Sequence, residues 1–179
     1  GVDMPAAIIL ETIQGEGGIN IASSGWLRRV ADIASEYGIL LIVDDIQAGC
    51  GRSGDFFSFE ESGIVPDIVV LSKSISGSGS PMSLLLIKPE HDIWQPAQHN
   101  GTFRGNTLAF VSARAAINTF WKNVDFSNDI KRKGNIIRNS LRDISTNNKE
   151  FGLEVRGKGM INGLVFEDES IAAQARRLA

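Results

Sequence analysis

The sequence feature that most constrains the fold is a continuous apolar run, ILLIVDD at residues 39–45, which ends in two carboxylates. A strand with one solvated face alternates apolar and polar residues, whereas a strand covered on both faces is apolar throughout. Comparable runs occupy residues 6–10 (AAIIL) and 67–72 (DIVVLS), and an amphipathic segment at 25–37 separates the first two runs. This alternation of buried strands with a helix predicts an α/β fold built on a mostly parallel sheet.

A fourth strand at residues 83–88 (SLLLIK) is predicted to run antiparallel to the third. The connection between the two strands is only about ten residues long, and a parallel crossover needs a dozen or more. The sequence therefore predicts a parallel sheet with one antiparallel strand.

The chain is predicted to divide near residue 123, where polarity rises. Residues 1–122 are predicted to be the C-terminal part of a large domain, and residues 123–179 the beginning of a small C-terminal α+β domain. The first residue is not Met and the last lies in a predicted helix, so we expect N- and C-terminal parts of the full protein to be missing. Trp26 and Trp121 are predicted to face the core from helices. The remaining predicted elements are helices at 106–121 and 129–144, a strand pair at 153–166 and a terminal helix.

Composition disfavours several classes of partner and site. A net charge of −3 gives no electrostatic reason to expect binding to nucleic acid or to an anionic membrane. No apolar run approaches the roughly 20 residues that a membrane helix requires. The single cysteine, Cys50, permits no internal disulfide, which favours a cytoplasmic location. We predict no metal site, and the lack of a G-x-G-x-x-G turn after a first strand disfavours a dinucleotide-binding oxidoreductase.

Two chemically distinctive residues follow neighbouring strands of the predicted sheet. Asp44 ends one apolar strand, and Lys73 follows the next. Ligands of such sheets bind at the carboxyl ends of the strands, and an isolated ion is costly to bury there. Pyridoxal phosphate requires a ring held between a carboxylate at its protonated nitrogen and a lysine that forms an imine. We therefore predict that Lys73 is the catalytic amine and that Asp44 is the partner of the ring nitrogen.

Each of these residues also has an ordinary structural interpretation. A lysine after a strand is most often a solvated surface lysine, and a carboxylate at a strand end is often a loop anchor. Asp45 follows Asp44 directly, so it is expected to point to the opposite face and to be structural. The QGEGG segment at 14–18 is as compatible with a plain turn as with an anion-binding loop. The functional interpretation depends on their joint occurrence at consecutive strand ends.

Four segments resemble, in this order, the motifs of the class III aminotransferases, which are fold-type I pyridoxal-phosphate enzymes. They are ETIQGEGG (11–18), VDDIQAGCGRSG (43–54), PDIVVLSKSISG (66–77) and HNGTFRGN (99–106). The resemblance covers nearly the whole chain. It implies pyridoxal 5′-phosphate as the cofactor, the large domain of the fold-type I transferases as the fold, and a homodimer or higher homo-oligomer as the assembly.

The resemblance also implies roles for the residues that match the motifs around the cofactor ring. Lys73 matches the Schiff-base lysine, and Asp44 matches the partner of the pyridinium nitrogen. Ile46 matches the aliphatic residue that packs on one ring face, and Gln47 matches the residue near the ring hydroxyl. The family's phosphate-binding turn and ring-stacking aromatic have no counterpart in this chain, so we expect it to hold only part of a cofactor site.

Two further matches concern the partner subunit and the substrate. Thr102 matches the threonine that reaches across a dimer interface to the neighbouring cofactor phosphate. Glu16 matches a substrate-binding glutamate that, in related ω-aminotransferases, pairs with a mobile arginine and lets one pocket accept a neutral ω-amine end and then an α-carboxylate. Arg156, in VRGKGM, does not match that arginine.

Motif variants narrow the resemblance to one branch of the family. Glu-Thr and Asp-Asp replace the usual Glu-Pro and Asp-Glu, as in the diaminobutyrate–2-oxoglutarate aminotransferases of ectoine biosynthesis. The small-molecule partners implied are L-glutamate as the amino donor and L-aspartate 4-semialdehyde as the aldehyde acceptor. Two alternatives stay open: another class III ω-aminotransferase, of the 4-aminobutyrate or ornithine type, and a catalytically inert fragment.

Overall fold

A computed structural model describes residues 3–101 and 104–178. Its strands are β1 (Ala7–Leu10), β2 (Ile13–Gln14), β3 (Asn20–Ile21), β4 (Leu40–Asp44), β5 (Ile68–Ser72), β6 (Ser83–Ile87), β7 (Glu154–Lys158) and β8 (Ile161–Val165). Its α-helices are α1 (Ser24–Glu36), α2 (Thr107–Phe120), α3 (Asp125–Asn147) and α4 (Glu169–Leu178). Short 3₁₀ helices span Glu60–Ser62, Lys73–Ser76, Pro89–His91 and Lys149–Phe151. None of the helices in these two ranges is long and apolar enough to cross a membrane.

The largest sheet has its strands in the order β1-β4-β5-β6. β1 and β5 both pair parallel with β4, whereas β6 pairs antiparallel with β5. The predicted α/β fold, with a mostly parallel sheet and one antiparallel strand, is confirmed. Because β1, β4 and β5 run in the same direction, their carboxyl ends meet at one edge of the sheet.

The core explains why the β4 sequence is apolar throughout. Leu41 and Val43 of β4 and Val69 and Leu71 of β5 are buried, and the alternate residues of both strands, on the other face, are half-buried. Helix α1 packs on this sheet through Leu27, which belongs to the same core cluster. Burial of one apolar side chain of this size stabilises the fold by roughly 1.5–3 kcal/mol, so these strands contribute much of its stability.

Helix α1 begins at a capping serine. The Ser23 hydroxyl accepts a hydrogen bond from the backbone N–H of Trp26 (3.2 Å), which satisfies one of the free N–H groups of the first turn. The Trp26 side chain is 52% exposed, so the prediction that it faces the core is wrong. Trp121 is half-buried and packs edge-on against Phe56 and Phe126.

Helix α3 packs on the antiparallel β7–β8 pair. The two approach closely at Gly134, where an added Cβ would collide with the carbonyl of Gly159. Polar contacts join this unit to the loops of the four-stranded sheet: Lys131 Nζ–Asp55 Oδ1 (2.6 Å), Lys158 Nζ–Glu61 Oε2 (2.7 Å) and Met160 N–Arg52 O (2.8 Å). The domain boundary between residues 122 and 123 stays a prediction.

A small antiparallel pair, β2–β3, was not predicted from the sequence. Ile13 pairs with Ile21 and Gln14 with Asn20, so the QGEGG segment is the turn of a hairpin. An isolated two-stranded hairpin is only marginally stable in water, and this one depends on its neighbours.

Candidate active site

The carboxyl end of β4 presents three of the predicted site residues within four positions. Asp44, Ile46 and Gln47 are each half-buried. Asp44 Oδ1 accepts a hydrogen bond from the backbone N–H of Ile46 (3.0 Å), which is a local turn that aspartate favours after a strand. This bond fixes the carboxylate at the edge of the sheet.

The carboxyl end of β5 places Lys73 in an unusual backbone conformation. Its φ is +51°, a left-handed value that few residues other than glycine adopt. The Lys73 side chain is exposed, although the strand that precedes it is largely buried. Strain of this kind persists only where surrounding structure enforces it, and it is concentrated at functional sites.

Helix α2 holds the loop after Lys73 in place. Ser112 Oγ donates a hydrogen bond to the carbonyl of Ser76 (2.7 Å) and lies 3.0 Å from Ser78 Oγ. Gly77 has a φ of +67°, and an added Cβ there would collide with Ala116. The serine-rich loop is therefore docked on the helix, and the lysine position is set by residues far from it in sequence.

The sheet register brings Asp44 and Lys73 to neighbouring positions. Asp44 pairs with Val70 of β5, and Lys73 follows Val70 by three residues. With a strand spacing of about 4.8 Å and a rise of about 3.3 Å per residue, their Cα atoms lie roughly 11 Å apart or less. A long lysine side chain and an aspartate at this separation can contact opposite ends of one six-membered ring.

The QGEGG turn approaches the same edge. Gly15 lies so close to Gln47 that an added Cβ would collide with its side-chain amide. Glu16 follows Gly15 in the turn and is exposed. The structure thus brings together the ends of β4 and β5 and the turn of β2–β3, whereas Thr102 lies outside the described residues.

Asp45 is structural, as its alternation with Asp44 predicts. It is 1% exposed, and it accepts hydrogen bonds from the Ser58 Oγ (2.5 Å) and backbone N–H (3.1 Å). Thr12 Oγ1 hydrogen-bonds in turn to Ser58 Oγ. Burial raises the pKa of Asp45, and the Ser58 hydrogen bonds only partly offset this.

Cys50 and Arg52 lie on the connection that follows β4. Burial, together with the nearby Asp45 charge, raises the pKa of the Cys50 thiol to about 11, so it stays a thiol at neutral pH and is a poor nucleophile. Arg52 Nη2 lies 3.4 Å from Ser74 Oγ, and Arg52 lines a groove with Lys73. Its carbonyl accepts a hydrogen bond from the backbone N–H of Met160 (2.8 Å), so Arg52 contacts both the lysine loop and the turn between β7 and β8.

Comparison with known proteins identifies the family. The model of the family described as aminotransferase class-III matches residues 3–178, so the chain belongs to the class III aminotransferases. These are pyridoxal-phosphate-dependent enzymes.

Similar curated proteins support this assignment. An uncharacterized aminotransferase of Sinorhizobium fredii is 60% identical over 92% of this chain and 37% of its own length. A diaminobutyrate–2-oxoglutarate transaminase of Virgibacillus pantothenticus is 52% identical over 100% of this chain and 43% of its own. The chain thus spans about two fifths of the length of the curated relatives it matches.

Solved structures share the fold. Acetylornithine aminotransferase from Elizabethkingia anophelis aligns with a TM-score of 0.85 and 31% identity, covering 97% of this chain and 43% of that one. Ornithine aminotransferase from Toxoplasma gondii aligns with a TM-score of 0.84 and 32% identity, covering 92% and 39%. The mixed sheet and its flanking helices are those of the aminotransferase fold.

The residues at the sheet edge fit pyridoxal phosphate. Within residues 3–101 and 104–178, neither Lys73 nor Asp44 takes part in a salt bridge, so an amine and a carboxylate are both available to a ligand. Gly15 lets the Gln47 side-chain amide pack against the turn, because a Cβ at this position would collide with it. This set of donors and acceptors suits a ring that carries an aldehyde and a basic nitrogen.

Two features of the site were missed from the sequence. Ser112 anchors the lysine loop from helix α2, and Arg156 contacts the QGEGG turn from β7. The first joins residues 36 positions apart and the second residues 138 apart. No local motif indicates such contacts. The sequence did place Arg156 in a predicted strand, but it did not indicate what the side chain contacts.

Proposed function

We propose that the full protein transfers the amino group of L-glutamate to L-aspartate 4-semialdehyde, giving 2-oxoglutarate and L-2,4-diaminobutyrate, the first step towards ectoine. The observation that carries this proposal is the similarity over the whole chain to diaminobutyrate–2-oxoglutarate transaminases, at 49–52% identity for four of them. The distinctive Glu-Thr and Asp-Asp variants of the family motifs point to the same branch.

The residues at the sheet edge have distinct roles in this proposal. Pyridoxal phosphate, when bound, supplies an electron-withdrawing ring that stabilises negative charge at the amino-acid Cα. Lys73 would hold the cofactor through its aldehyde, and its amine, when free, would accept and return the proton of the substrate Cα. Asp44 keeps the ring nitrogen protonated by accepting its hydrogen bond.

Other residues orient the ring and the substrate. Ile46 would pack on one face of the ring, and Gln47 would hydrogen-bond near the ring hydroxyl. Glu16 distinguishes an α-carboxylate from a neutral ω-amine end by pairing with an arginine in the remainder of the full protein.

We further propose that the protein works as a homodimer in which Thr102 binds the phosphate of the partner's cofactor. Helix α2, which follows Thr102 closely, exposes Leu108 (79%) and Val111 (64%), and apolar side chains of this kind favour burial between subunits. The single cysteine is consistent with a cytoplasmic location, which also stays a prediction.

The proposal is tested with the full-length protein. Purified enzyme loaded with pyridoxal phosphate is mixed with L-glutamate and L-aspartate 4-semialdehyde, and L-2,4-diaminobutyrate is measured by chromatography. We expect kcat/KM for this acceptor to exceed that for glutamate 5-semialdehyde and for succinate semialdehyde by at least about tenfold. Equal or reversed preferences would contradict it.

A second candidate function is favoured by the structural neighbours. Several of the solved structures similar to this chain are ornithine aminotransferases, whose identities to it are 28–32%. The higher identities to diaminobutyrate transaminases favour the first function. The acceptor comparison above separates the two, since ornithine chemistry predicts preference for glutamate 5-semialdehyde.

The remaining alternative, an inert fragment, concerns these 179 residues alone. Addition of pyridoxal phosphate to the isolated chain should produce the absorbance band of a lysine-bound cofactor if the partial site is sufficient. Lys73→Ala should remove the band. If no band forms, the isolated chain is inert while the proposal for the full protein stands.

A further inference from the structure

The QGEGG turn is tied to strand β7 by Arg156. Arg156 Nη1 donates to Asn20 Oδ1 (2.8 Å) and to the carbonyl of Gly18 (3.3 Å). Its Nη2 is held by Glu154 Oε2 (2.5 Å), two residues away on the same strand. A guanidinium with its donors directed in a fixed fork is well suited to join a backbone carbonyl and a side-chain amide at once.

Asn20 passes this restraint to the rest of the turn. Its Oδ1 accepts from Arg156, and its Nδ2 donates to the carbonyl of Gly17 (2.8 Å) and to Gln14 Oε1 (3.0 Å). Both ends of the amide are therefore used, and its orientation is fixed. Arg156, through Asn20, restrains both strands of the hairpin.

Backbone strain shows that the turn does not adopt this shape by itself. Ile19 has a φ of +58°, which is a true outlier for a β-branched residue. Its side chain lies against Gly163 of β8, where an added Cβ would be 2.7 Å from Ile19 Cδ1. Contacts with β7 and β8 are thus what hold the glycine-rich turn in a strained shape.

The other end of the turn is fixed by a contact with the residues that follow β4. Gly15 rests on the Gln47 amide, and Glu16 lies between this anchor and the Arg156 anchor. Within the described part of the chain, the Glu16 carboxylate accepts no hydrogen bond and forms no salt bridge. Its position is therefore determined by the two anchors and not by bonds of its own.

We propose that Arg156 is a positioning residue for Glu16. By holding Gly18 and Asn20, it sets where the Glu16 carboxylate stands over the site, and so how well the enzyme distinguishes an ω-amine substrate from an α-amino acid. This inference rests on the proposed function. The arginine acts through the turn and contacts neither the cofactor nor the substrate.

The test uses the full-length holoenzyme and three variants: Arg156→Gln, Arg156→Lys and, as a matched control, Arg142→Gln. Arg142 lines the same groove as Arg156, but its guanidinium bonds to Asn139 on its own helix (3.3 Å). The two half-reactions are followed separately in single turnovers by the absorbance change of the cofactor, with L-2,4-diaminobutyrate or L-glutamate as the amino donor.

We expect Arg156→Gln to slow the diaminobutyrate half-reaction about tenfold and the glutamate half-reaction less than about threefold. Arg156→Lys should restore part of the difference, because an ammonium can still donate to Asn20 Oδ1. Arg142→Gln should leave both rates unchanged.

Hydrogen exchange supplies a readout that does not depend on activity. The N–H groups of Ile19 and Ala22 donate to Gln14 O and Thr12 O (each 2.9 Å). Arg156→Gln should increase their exchange about tenfold, with no such change in Arg142→Gln.

Two results would overturn the inference while leaving the proposed function intact. One is an equal loss in both half-reactions, which would make Arg156 a stabilising residue only; the other is unchanged exchange in the turn. A wild-type enzyme that converts neither donor would instead refute the proposed function, and the inference with it.

Discussion

Each end of the four-stranded sheet carries an aspartate and a lysine, which form a salt bridge at one end and not at the other. At the amino end of β5, Asp67 accepts hydrogen bonds from the backbone N–H of Leu41 (2.8 Å) and from Lys88 Nζ (2.7 Å). At the carboxyl end, Asp44 and Lys73 form no salt bridge with any residue in the described part of the chain. We call the salt-bridged pair Asp67–Lys88 closed, and the two residues Asp44 and Lys73, which are not bridged, open.

The difference between the two ends is that the charges at one end stabilise the fold, whereas those at the other end are available to a ligand. A paired charge at a strand end satisfies free backbone groups and joins three neighbouring strands, which stabilises the fold. An unpaired amine on a strained backbone contributes nothing to stability, but it is available to a ligand. Substitution of matching residues at the two ends should therefore affect different properties of the protein.

The largest expected effect is the loss of activity on replacement of Lys73, compared with the small loss on replacement of Lys88. Lys73→Ala should reduce transamination by at least about 1,000-fold, because it removes the amine that we propose binds the cofactor. Lys88→Ala should leave kcat/KM within about threefold and lower the free energy of unfolding by about 1 kcal/mol. Steady-state kinetics and urea unfolding of the full-length variants measure both quantities.

Lys73→Arg serves as a control that keeps the charge without a primary amine. It should be as inactive as Lys73→Ala. Activity in either Lys73 variant, or a severe loss of activity in Lys88→Ala, would contradict the assignment of the catalytic role to Lys73 and of the structural role to Lys88.

The second prediction contrasts the two adjacent carboxylates of β4. Asp44→Asn should reduce kcat about 100-fold, because a neutral amide does not keep the ring nitrogen protonated. Asp45→Asn should change kcat less than about threefold, since the amide oxygen of the new side chain would still accept the hydrogen bond from the Ser58 N–H. Steady-state kinetics with saturating pyridoxal phosphate measure the difference, and equal losses in both would contradict it.

The third prediction concerns stability at the closed end. Asp67→Ala removes the acceptor for Leu41 N–H and for Lys88, and should lower the free energy of unfolding by about 2 kcal/mol. The kcat of the folded enzyme should stay within about threefold. A stability loss smaller than that of Lys88→Ala would show that the Leu41 hydrogen bond contributes little.

The smallest effect is a pH dependence at the same residue. Burial by itself would raise the pKa of Asp67, but the Lys88 and Leu41 hydrogen bonds and the Lys88 and His91 charges lower it overall. A lowered folded-state pKa gives stability that is complete above the unfolded value, about 3.9, and is lost as the pH falls through the folded-state pKa. Urea unfolding at about pH 3 to 7 should show the difference between wild type and Asp67→Asn shrinking below about pH 4.

Asp45 should show the opposite sign. Its raised pKa means that ionisation costs more in the folded state, so its contribution to stability declines as the pH rises from the unfolded value through the folded-state pKa. Asp45→Asn should remove this decline. If the free energy of unfolding of Asp45→Asn depends on pH in the same way as that of wild type, the raised pKa of Asp45 is contradicted.

Local sequence predicted most of the secondary structure. The apolar run at 39–45 became β4 (Leu40–Asp44), and the short connection before β6 correctly indicated an antiparallel strand. Helix α3 begins at Asp125 and not at residue 129, because no side-chain cap marks its start. These features depend on neighbouring residues and short-range hydrogen bonds.

Several contacts between distant segments were not predicted. The β2–β3 hairpin has only two residue pairs, too few for a pattern of alternation, and Ser112 and Arg156 act on loops far from them in sequence. Trp26 sits on the apolar side of a helical pattern yet is 52% exposed. Which apolar positions become buried depends on where the sheet edge lies, and local periodicity does not contain that information.

The sequence by itself determined which residues are candidates for the chemistry: an aspartate at the end of one apolar strand, a lysine after the next, and a glycine-rich turn with one glutamate. Only the tertiary structure decided that Asp67 and Lys88 form a salt bridge, that Asp44 and Lys73 form none with the residues the structure describes, and that the turn is held from β7. The physical reason is that residue type and strand periodicity are local properties. Pairing of charges and restraint of a loop are created by the folding together of segments many residues apart.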